Sequence, residues 1–429
     1  MTAARGILWQ TSCAEHAATP PLDADATADV VVIGGGFTGS AAALEAAGSG
    51  ASVVLLEAEE IGFGGSGRNV GLVNAGLWVP PDGLIEIMGE EAGTRLIEAL
   101  GAAPDAVFDL IARHDIDCEP VRNGTLHCAH APSGFKDLQD RFRQGNRHGA
   151  PLQLLDAEEA TRRTGATGVH GALFDPRAGT VQPRAYAVGL ARAAAEQGAR
   201  IHAGSAVSTI RHDGDAWEVV SNGHRVRAGA LLLATNAYHA GITGPFAPEM
   251  VPVHFSQFAT APIPEELRDR ILPGGEGCWD TALVMNSFRL DAAGRMIFGG
   301  IGDLDGPAGV IHDGWARRKL RALFPELGDL PIEHAWQGRI AMTKDHVPKV
   351  VEFGPRALAP FGYSGRGIGP GTVFGRACAR ALLSGDMAGI PVAPVDHYIE
   401  HHKGLRAAWY EFGAAVTHAM TPPPFARQG

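Results

Sequence analysis

The chain has few cysteines, no run of basic side chains and no long apolar run, and each shortage excludes a class of protein. Its five cysteines are odd in number and scattered, which excludes a disulfide framework and leaves no spacing typical of a metal site. The formal net charge is −11 and no lysine- or arginine-rich block is present, which excludes a nucleic-acid-binding surface. The longest apolar runs are too short or too interrupted to span a bilayer.

Residues 1–20 lack the apolar core of a secretory signal, so the sequence predicts a soluble, cytoplasmic protein. A length of 429 residues and a hydrophobic content of 45% are enough for two domains and a large core. We therefore expect small-molecule partners, with no nucleic acid and no membrane insertion.

Glycine is abundant, with 57 residues, and its most informative cluster follows an apolar run at residues 29–33. Gly34 permits a tight turn, Gly36 lets the backbone approach a pyrophosphate, and Gly39 lets a helix pack closely on a strand. An alanine-rich helix pattern comes next, and its N-terminus would offer N–H groups to phosphates. A second apolar run then ends at Glu57, where a carboxylate can accept hydrogen bonds from ribose hydroxyls. The pattern predicts a dinucleotide site in a βαβ unit.

An acid at position 57 would repel a 2′-phosphate, which argues against NADP and leaves FAD and NAD open. The alternative interpretation of the same residues is a glycine-rich turn that binds nothing.

Two further glycine-rich segments lie far apart in the chain, at residues 62–71 and 362–369, and the second precedes a predicted helix at 372–383. Between them the pattern predicts a helix at 183–197, then short strands separated by turn signals such as Asp213-Gly214. The predicted strands are 200–203, 207–212, 217–221, 225–227, 230–237, 250–260, 282–290 and 295–299.

These segments, together with a hairpin pattern at residues 288–300, resemble the D-amino-acid-oxidase superfamily of FAD-dependent oxidoreductases. Within it the chain most resembles the amine oxidoreductases of the γ-glutamylputrescine oxidase type. The resemblance implies an α/β fold with an α+β substrate domain: a Rossmann-like FAD/NAD(P)-binding domain interleaved with an antiparallel-sheet substrate domain. It implies an FAD-binding domain made of residues 1–92, 168–241 and 333–429, and a substrate domain made of residues 93–167 and 242–332.

The resemblance also implies where FAD binds. The 62–71 segment would surround the flavin and its diphosphate, and the helix N-terminus after Gly365 would stabilise negative charge on the reduced ring. Monomeric sarcosine oxidases carry a flavin-bonding cysteine where this chain reads Arg339 to Met342, so we expect FAD to be non-covalent. The expected cofactor-binding residues are Gly34, Gly36, Phe37, Thr38, Gly39, Glu57, Ala58, Gly65, Ser66, Arg68, Asn69, Val207, Thr235, Gly365, Arg366, Gly367, Ile368 and Gly369.

Amine oxidation at a flavin needs positioning and desolvation of a neutral amine more than it needs an acid–base group. The candidates for the substrate side are His254 and Gln257, on the same predicted strand as Phe255, with Arg289 and Arg339. The alternatives are a packed sheet histidine for His254 and surface positions for both arginines.

The expected reaction is oxidation of a C–N bond of an amine or amino-acid derivative to an imine by hydride transfer to flavin N5. Hydrolysis follows, and dioxygen accepts the electrons. The alternatives are a dehydrogenase of the same fold that uses a quinone or carrier, a non-catalytic flavoprotein, and an NAD enzyme. An NAD enzyme would not explain the segments that resemble flavin-ring-binding segments.

Overall fold

The computed structural model describes residues 6–421, so residues 1–5 and 422–429 of the expected FAD-binding segments lie outside the described residues. Two eight-stranded sheets and one two-stranded sheet organise this part of the chain. The two-stranded sheet pairs Leu72–Val73 with Gly179–Thr180. The helices of four or more residues are Leu8–Thr11, Phe37–Gly48, Pro81–Met88, Glu90–Gly101, Ala103–Arg113, Pro132–Arg147, Ala157–Thr164, Pro183–Glu196, Glu265–Arg268, Gly309–Leu323, Ile368–Ser384 and Lys403–Met420.

The first sheet has a parallel centre. Ala26–Ile33 pairs in parallel with Val53–Leu56 on one side and with His224–Leu233 on the other. Because successive side chains point to opposite faces, Val30 and Val32 pack under helices whereas Val31 and Ile33 pack on the antiparallel strands that cover the other face. The remaining strands of this sheet are Arg200–His202, Val207–Asp213, Ala216–Ser221, Lys349–Gly354 and Ala357–Phe361.

Helix Phe37–Gly48 lies at the centre of the helical layer and packs against both Pro183–Glu196 and Ile368–Ser384. Small residues permit this packing: a side chain at Gly375 would place its first carbon 2.2 Å from the carbonyl oxygen of Thr38. The middle of Ile368–Ser384 therefore lies directly against the first turn of Phe37–Gly48.

The second sheet is mostly antiparallel, and its longest strands are Val251–Pro262 and Ile332–Met342, which pair along most of their length. Helix Gly309–Leu323 covers one face through Trp315 and Leu320. The other strands are Thr125–Cys128, Gln153–Leu155, Ala172–Asp175, Gly277–Asp280, Ser287–Leu290 and Arg295–Ile301.

The sequence predicted most elements, with differences at their ends and connections. The two predicted strands at 225–227 and 230–237 are one strand, His224–Leu233, because it pairs continuously with Ala26–Ile33. Residues 282–286 are not a strand. The expected segment boundaries at residues 168 and 333 do not coincide with the change of sheet, because Ala172–Asp175 and Ile332–Met342 both pair within the second sheet.

Within residues 6–421, no helix combines the length and apolar composition that crossing a membrane requires. The same residues contain no cluster of histidine, cysteine, aspartate and glutamate that could hold a metal ion.

Candidate active site between the two sheets

A cavity of about 290 Å³ lies between the two large sheets. Its wall includes Ile33, Leu56 and Ala234 from the ends of parallel strands in the first sheet, and Phe255 and Gly299 from the second. Ligands of open parallel sheets bind at the carboxyl ends of the strands, which is where this cavity lies.

The glycine turn after Ile33 forms one end of the cavity. Gly34 has a φ of +107°, and a side chain there would place its first carbon 2.8 Å from the carbonyl oxygen of Ala234. Gly39 does not line the cavity; a first side-chain carbon at Gly39 would lie 1.8 Å from the carbonyl oxygen of Gly34, so its lack of a side chain permits the turn to pack on the helix. Gly36 and Phe37 are on the wall, and the Phe37 N–H donates to Ser66 Oγ at 3.0 Å.

Glu57 follows strand Val53–Leu56 and lines the same end of the cavity, next to Ala58. Its Oε2 accepts a hydrogen bond from the Gly35 N–H at 2.6 Å, and its Oε1 accepts one from the Glu59 N–H at 3.1 Å. Burial raises the pKa of Glu57 above its ordinary value of 4.5. The two backbone donors fix the orientation of the carboxyl group.

Two helix N-termini open onto this cavity. Phe37–Gly48 presents Phe37 and Thr38, and Ile368–Ser384 presents Gly367 and Ile368. Each N-terminus carries N–H groups that have no acceptor within the helix, and a partial positive charge. The arrangement therefore favours a ligand that is anionic at two separate places.

The segment that leads into the second helix needs left-handed backbone at three of four positions: φ is +81° at Gly362, +49° at Ser364 and +93° at Gly365. Tyr363 lies within it, lines the cavity and shares a hydrogen bond of 2.9 Å with Thr38 Oγ1. Gly369 is turned away from the cavity: a side chain there would meet Ala103.

The 62–71 segment lines the cavity on both sides of Arg68, but Arg68 itself is not on the wall; the residues that are on it are Phe63, Gly64, Gly65, Ser66, Asn69 and Val70. The Arg68 guanidinium donates to the Phe63 carbonyl at 2.7 Å and to the Gln337 carbonyl at 3.2 Å. Its long side chain thus ties the segment to strand Ile332–Met342. This location differs from the expected flavin contact.

Two of the four expected substrate residues, His254 and Arg289, lie away from the cavity. His254 is adjacent to Phe255, and because side chains alternate along a strand it points to the opposite face, 3.7 Å from Asp303. Arg289 is fully buried and donates to the carbonyls of Val70, Val181 and Leu290, and burial lowers its pKa to about 10.

Gln257 and Arg339 do line the cavity. Gln257 is buried beside Gly299, and its Oε1 has no hydrogen-bond partner. Arg339 is exposed, and its guanidinium lies 4.6 Å from the centre of the Tyr238 ring. The backbone N–H of Arg339 donates to Tyr238 Oη.

Arg366 lies where the cavity meets a second one of about 320 Å³, and it lines both together with Asn74 and Trp279. Its guanidinium lies 4.7 Å from the ring of Trp78 and 5.2 Å from the ring of Trp279. One nitrogen donates to the Ala75 carbonyl at 2.8 Å, whereas Nε is buried without a partner. Burial, followed by the charge of Arg141, lowers the pKa of Arg366 to about 9.

Of the residues expected to bind cofactor or substrate, those on the cavity wall are Gly34, Gly36, Phe37, Thr38, Glu57, Ala58, Gly65, Ser66, Asn69, Val207, Thr235, Gln257, Arg339, Gly365, Arg366, Gly367 and Ile368. Sequence reasoning missed the aromatic wall, formed by Trp78, Tyr238, Trp279 and Tyr363. Tyr363 stands inside a recognised glycine segment and could have been found; the other three follow no motif.

The sequence matches the family described as FAD dependent oxidoreductase over residues 29–381. A gamma-glutamylputrescine oxidoreductase of Escherichia coli strain K12 is 30% identical over 427 residues, which cover 97% of this chain and 98% of the relative. A probable oxidoreductase OrdL of Rhizobium meliloti strain 1021 is 32% identical over 383 residues, 88% of each chain.

Solved structures with the same fold include a glycine oxidase from Geobacillus kaustophilus, with a TM-score of 0.69 and 21% identity over 87% of this chain and 100% of that one. An L-proline dehydrogenase from P. horikoshii also has a TM-score of 0.69 and 21% identity, over 86% of this chain and 98% of that one. These likenesses confirm the predicted fold class.

Proposed function

The chain belongs to the family of FAD dependent oxidoreductases, and on that basis we propose that it oxidises a C–N bond of an amine or amino-acid derivative to an imine. The E. coli relative is named for gamma-glutamylputrescine, which carries an amine at one end and a carboxylate at the other. We extend that substrate type to this chain: an amine with an anionic group remote from the reacting nitrogen.

The residues on the cavity wall fit FAD. Gly34 and Gly36 leave room for the diphosphate at the N-terminus of Phe37–Gly48, and Glu57 would accept from the adenosine ribose. The N-terminus of Ile368–Ser384 would stabilise the negative charge that reduction adds. When bound, FAD supplies the acceptor for the hydride that leaves the substrate carbon. The first sheet would then form the core of the FAD-binding domain and the second sheet that of the substrate domain.

Non-covalent attachment is supported by the chemistry of the wall. No cysteine is among the residues that line the cavity, and four of the five cysteines are buried elsewhere.

The observation that carries the substrate proposal is a set of three unsatisfied polar groups on the cavity wall, at Gln257, Trp279 and Arg366, of which the first and the last decide the type of substrate. Gln257 Oε1 is a buried acceptor without a donor, and Arg366 is a largely desolvated cation with no carboxylate of residues 6–421 within ion-pair distance. Such groups are costly unless a ligand satisfies them. An amine N–H would satisfy Gln257 Oε1 and a carboxylate would satisfy Arg366.

The same wall would keep the reacting amine neutral. Phe255, Trp78 and Trp279 are apolar, and burial lowers the pKa of the neighbouring His127 well below 6.5, so this histidine adds no charge. Desolvation disfavours an ammonium ion, and only the neutral amine has the lone pair that assists hydride loss.

Anaerobic mixing of the purified protein with a substrate panel tests the proposal. The panel contains γ-glutamylated amines, free polyamines, N-methyl amino acids and D-amino acids, and loss of the flavin absorbance scores oxidation. We expect the fastest bleaching with γ-glutamylated amines. A flavin that no amine bleaches would contradict the proposal and favour a non-catalytic flavoprotein.

We further propose dioxygen as the electron acceptor. Stopped-flow mixing of the reduced protein with air-saturated buffer should restore the flavin absorbance rapidly. Slow reoxidation by air, with fast reoxidation by a quinone, would identify a dehydrogenase instead.

A further inference from the structure

The outer face of the helix Lys403–Met420 is apolar along its whole length. Its exposed large side chains are Leu405, Trp409, Phe412, Val416 and Met420, with Trp409 70% and Phe412 63% exposed. The other exposed positions of this helix hold only glycine or alanine. A helix on the surface of a protein normally shows its charged face to water, so this orientation is reversed.

The orientation of this helix is fixed, because its polar side chains form an ion pair and hydrogen bonds with the rest of the protein. Arg406 forms an ion pair with Glu400. Glu411 accepts from the Asp303 N–H at 3.1 Å through one carboxylate oxygen and lies 2.8 Å from His312 Nε2 through the other.

His418, near the end of the helix, is also turned inward. It is fully buried, stacks on Trp315 at 3.8 Å and shares a hydrogen bond of 2.8 Å with His312. The exposure of the opposite face is therefore not the result of a loosely packed helix.

The apolar side chains follow the spacing of a helix–helix seam. From Leu405 the positions advance by four, three, four and four residues to Met420, which is close to the 3.6 residues per turn of a straight helix and keeps one stripe on one side of it. Ala408 and Ala415 flank the stripe and would let a second helix approach closely.

We propose that this stripe is a homodimer interface, in which the helix 403–420 of one copy packs against the same helix of a second copy. The two aromatic rings and three aliphatic side chains would remove on the order of 500 Å² from water in each copy. The pair would then bury about 1,000 Å², which is the lower bound of a specific interface before flanking contacts are added. A lipid surface fits less well, because the net charge is −11 and no lysine or arginine is among the exposed positions of the stripe.

Sedimentation velocity on the full-length holoprotein at micromolar concentration tests this. We expect a species of twice 44.9 kDa for the wild type and a monomer for Trp409→Glu, which would bury a charge in the seam. The matched control is Ile87→Glu, on the surface helix Pro81–Met88, which should remain a dimer. Bound FAD and circular dichroism show that each variant is folded.

Cysteine cross-linking gives a second, positive readout. In a parallel pair every residue of the stripe lies opposite its own copy, and in an antiparallel pair centred on the stripe only its middle residue, Phe412, does so. Phe412→Cys should therefore form a covalent dimer on mild oxidation. Leu405→Cys should do so only in a parallel pair.

A wild type that stays monomeric, or a Trp409→Glu variant that stays dimeric, would overturn the proposal. Flotation of a monomeric wild type with neutral phosphatidylcholine vesicles would identify lipid as the occupant instead. None of these results depends on the amine that the protein oxidises.

Discussion

At the scale of single residues, we expect Glu57 to make cofactor binding sensitive to pH. Burial raises its pKa above 4.5, and hydrogen bonds from ribose hydroxyls would favour the ionised form. FAD binding would then release a proton wherever Glu57 is protonated in the free protein. We expect the dissociation constant of FAD to be constant at neutral pH and to rise as the pH falls through the raised pKa. Fluorescence titration of the apoprotein with FAD from pH 5 to pH 8 measures this dissociation constant.

The variant Glu57→Gln removes the titrating group while keeping its size. It should bind FAD about 10- to 100-fold more weakly at neutral pH, because it loses a charged acceptor. Its affinity should also lose the dependence on pH below neutrality. Equal pH profiles for the variant and the wild type would mean that another group titrates.

Arg366 should decide whether a substrate needs an anionic group. Replacing it with glutamine should lower kcat/KM for a carboxylate-bearing amine about 100-fold and change it less than about threefold for the same amine without the carboxylate. Lysine should restore only part of the effect, because it lacks the planar fork.

Steady-state kinetics on matched amine pairs measures this, with flavin content per mole of protein as the second readout. If Arg366→Gln lost FAD while discriminating as before, the side chain would be a cofactor contact, as the sequence first indicated.

Arg289, by contrast, should matter for stability. Its guanidinium donates to three backbone carbonyls at 2.7 to 3.2 Å and lies 5.1 Å from the ring of Trp9. Arg289→Met leaves those carbonyls without a donor and should cost on the order of 2–3 kcal/mol in urea unfolding. The surface control Arg162→Met, which removes an exposed ion pair with Glu159, should cost less than about 1 kcal/mol. An unchanged unfolding midpoint with lost activity would place Arg289 in the chemistry.

The contrast between these residues shows what a sequence can predict at this scale. Gly34, Gly36 and Glu57 follow from local backbone requirements, and all three lie on one cavity wall. Three other expected residues do not line this wall. The long side chains of Arg68 and Arg289 bind backbone carbonyls that are far away in the sequence. His254 lies on the opposite face of its strand, and which face a residue takes depends on the strand's register.

At the scale of elements, the helix Phe37–Gly48 provides a test with an internal control. A side chain at Gly36 would begin 2.7 Å from Ser66 Oγ, at the cavity wall, whereas one at Gly48 would meet nothing within 4 Å. Gly36→Val should therefore yield colourless protein that does not take up added FAD. Gly48→Ala should keep its FAD, because it lies at the far end of the same helix. The absorbance at 450 nm per mole of purified protein measures the bound FAD. A yellow Gly36→Val variant would refute the assignment of the site.

Elements with a local signal were predicted well and elements without one were not. The βαβ unit and the helix after the 362–369 segment have glycine turns that mark them, and both are present. The helix Lys403–Met420 was not predicted, and its outward apolar face is the opposite of the usual amphipathic orientation. The pairing of Ile332–Met342 with the second sheet depends on a partner about 80 positions away, which no local pattern encodes.

At the scale of the whole molecule, the cavity separates two sheets that the cofactor would bridge. Because FAD binds only the folded state, it should stabilise the protein by about 2.7 kcal/mol when its concentration is 100 times its dissociation constant. We expect the melting temperature of the apoprotein to rise by several degrees with FAD and to rise less with NAD, which lacks the flavin. Differential scanning fluorimetry measures both.

The same preparation tests the mode of attachment. Acid precipitation should release the yellow colour to the supernatant if FAD is non-covalent. Colour that stays in the pellet would contradict this, and so would an apoprotein whose melting temperature FAD does not change.

The order of the wall residues along the chain also has a consequence for biosynthesis. Gly34 and Ile368 lie 334 positions apart and face the same cavity. At about 5–20 residues per second, a ribosome needs roughly 17 to 67 seconds to travel between them. Until residues 224–233 emerge, one edge of strand Ala26–Ile33 has no partner strand. A nascent chain thus has an open strand edge until residue 233 emerges and an incomplete pocket until residue 368 emerges, so the cofactor can complete its contacts only late in synthesis.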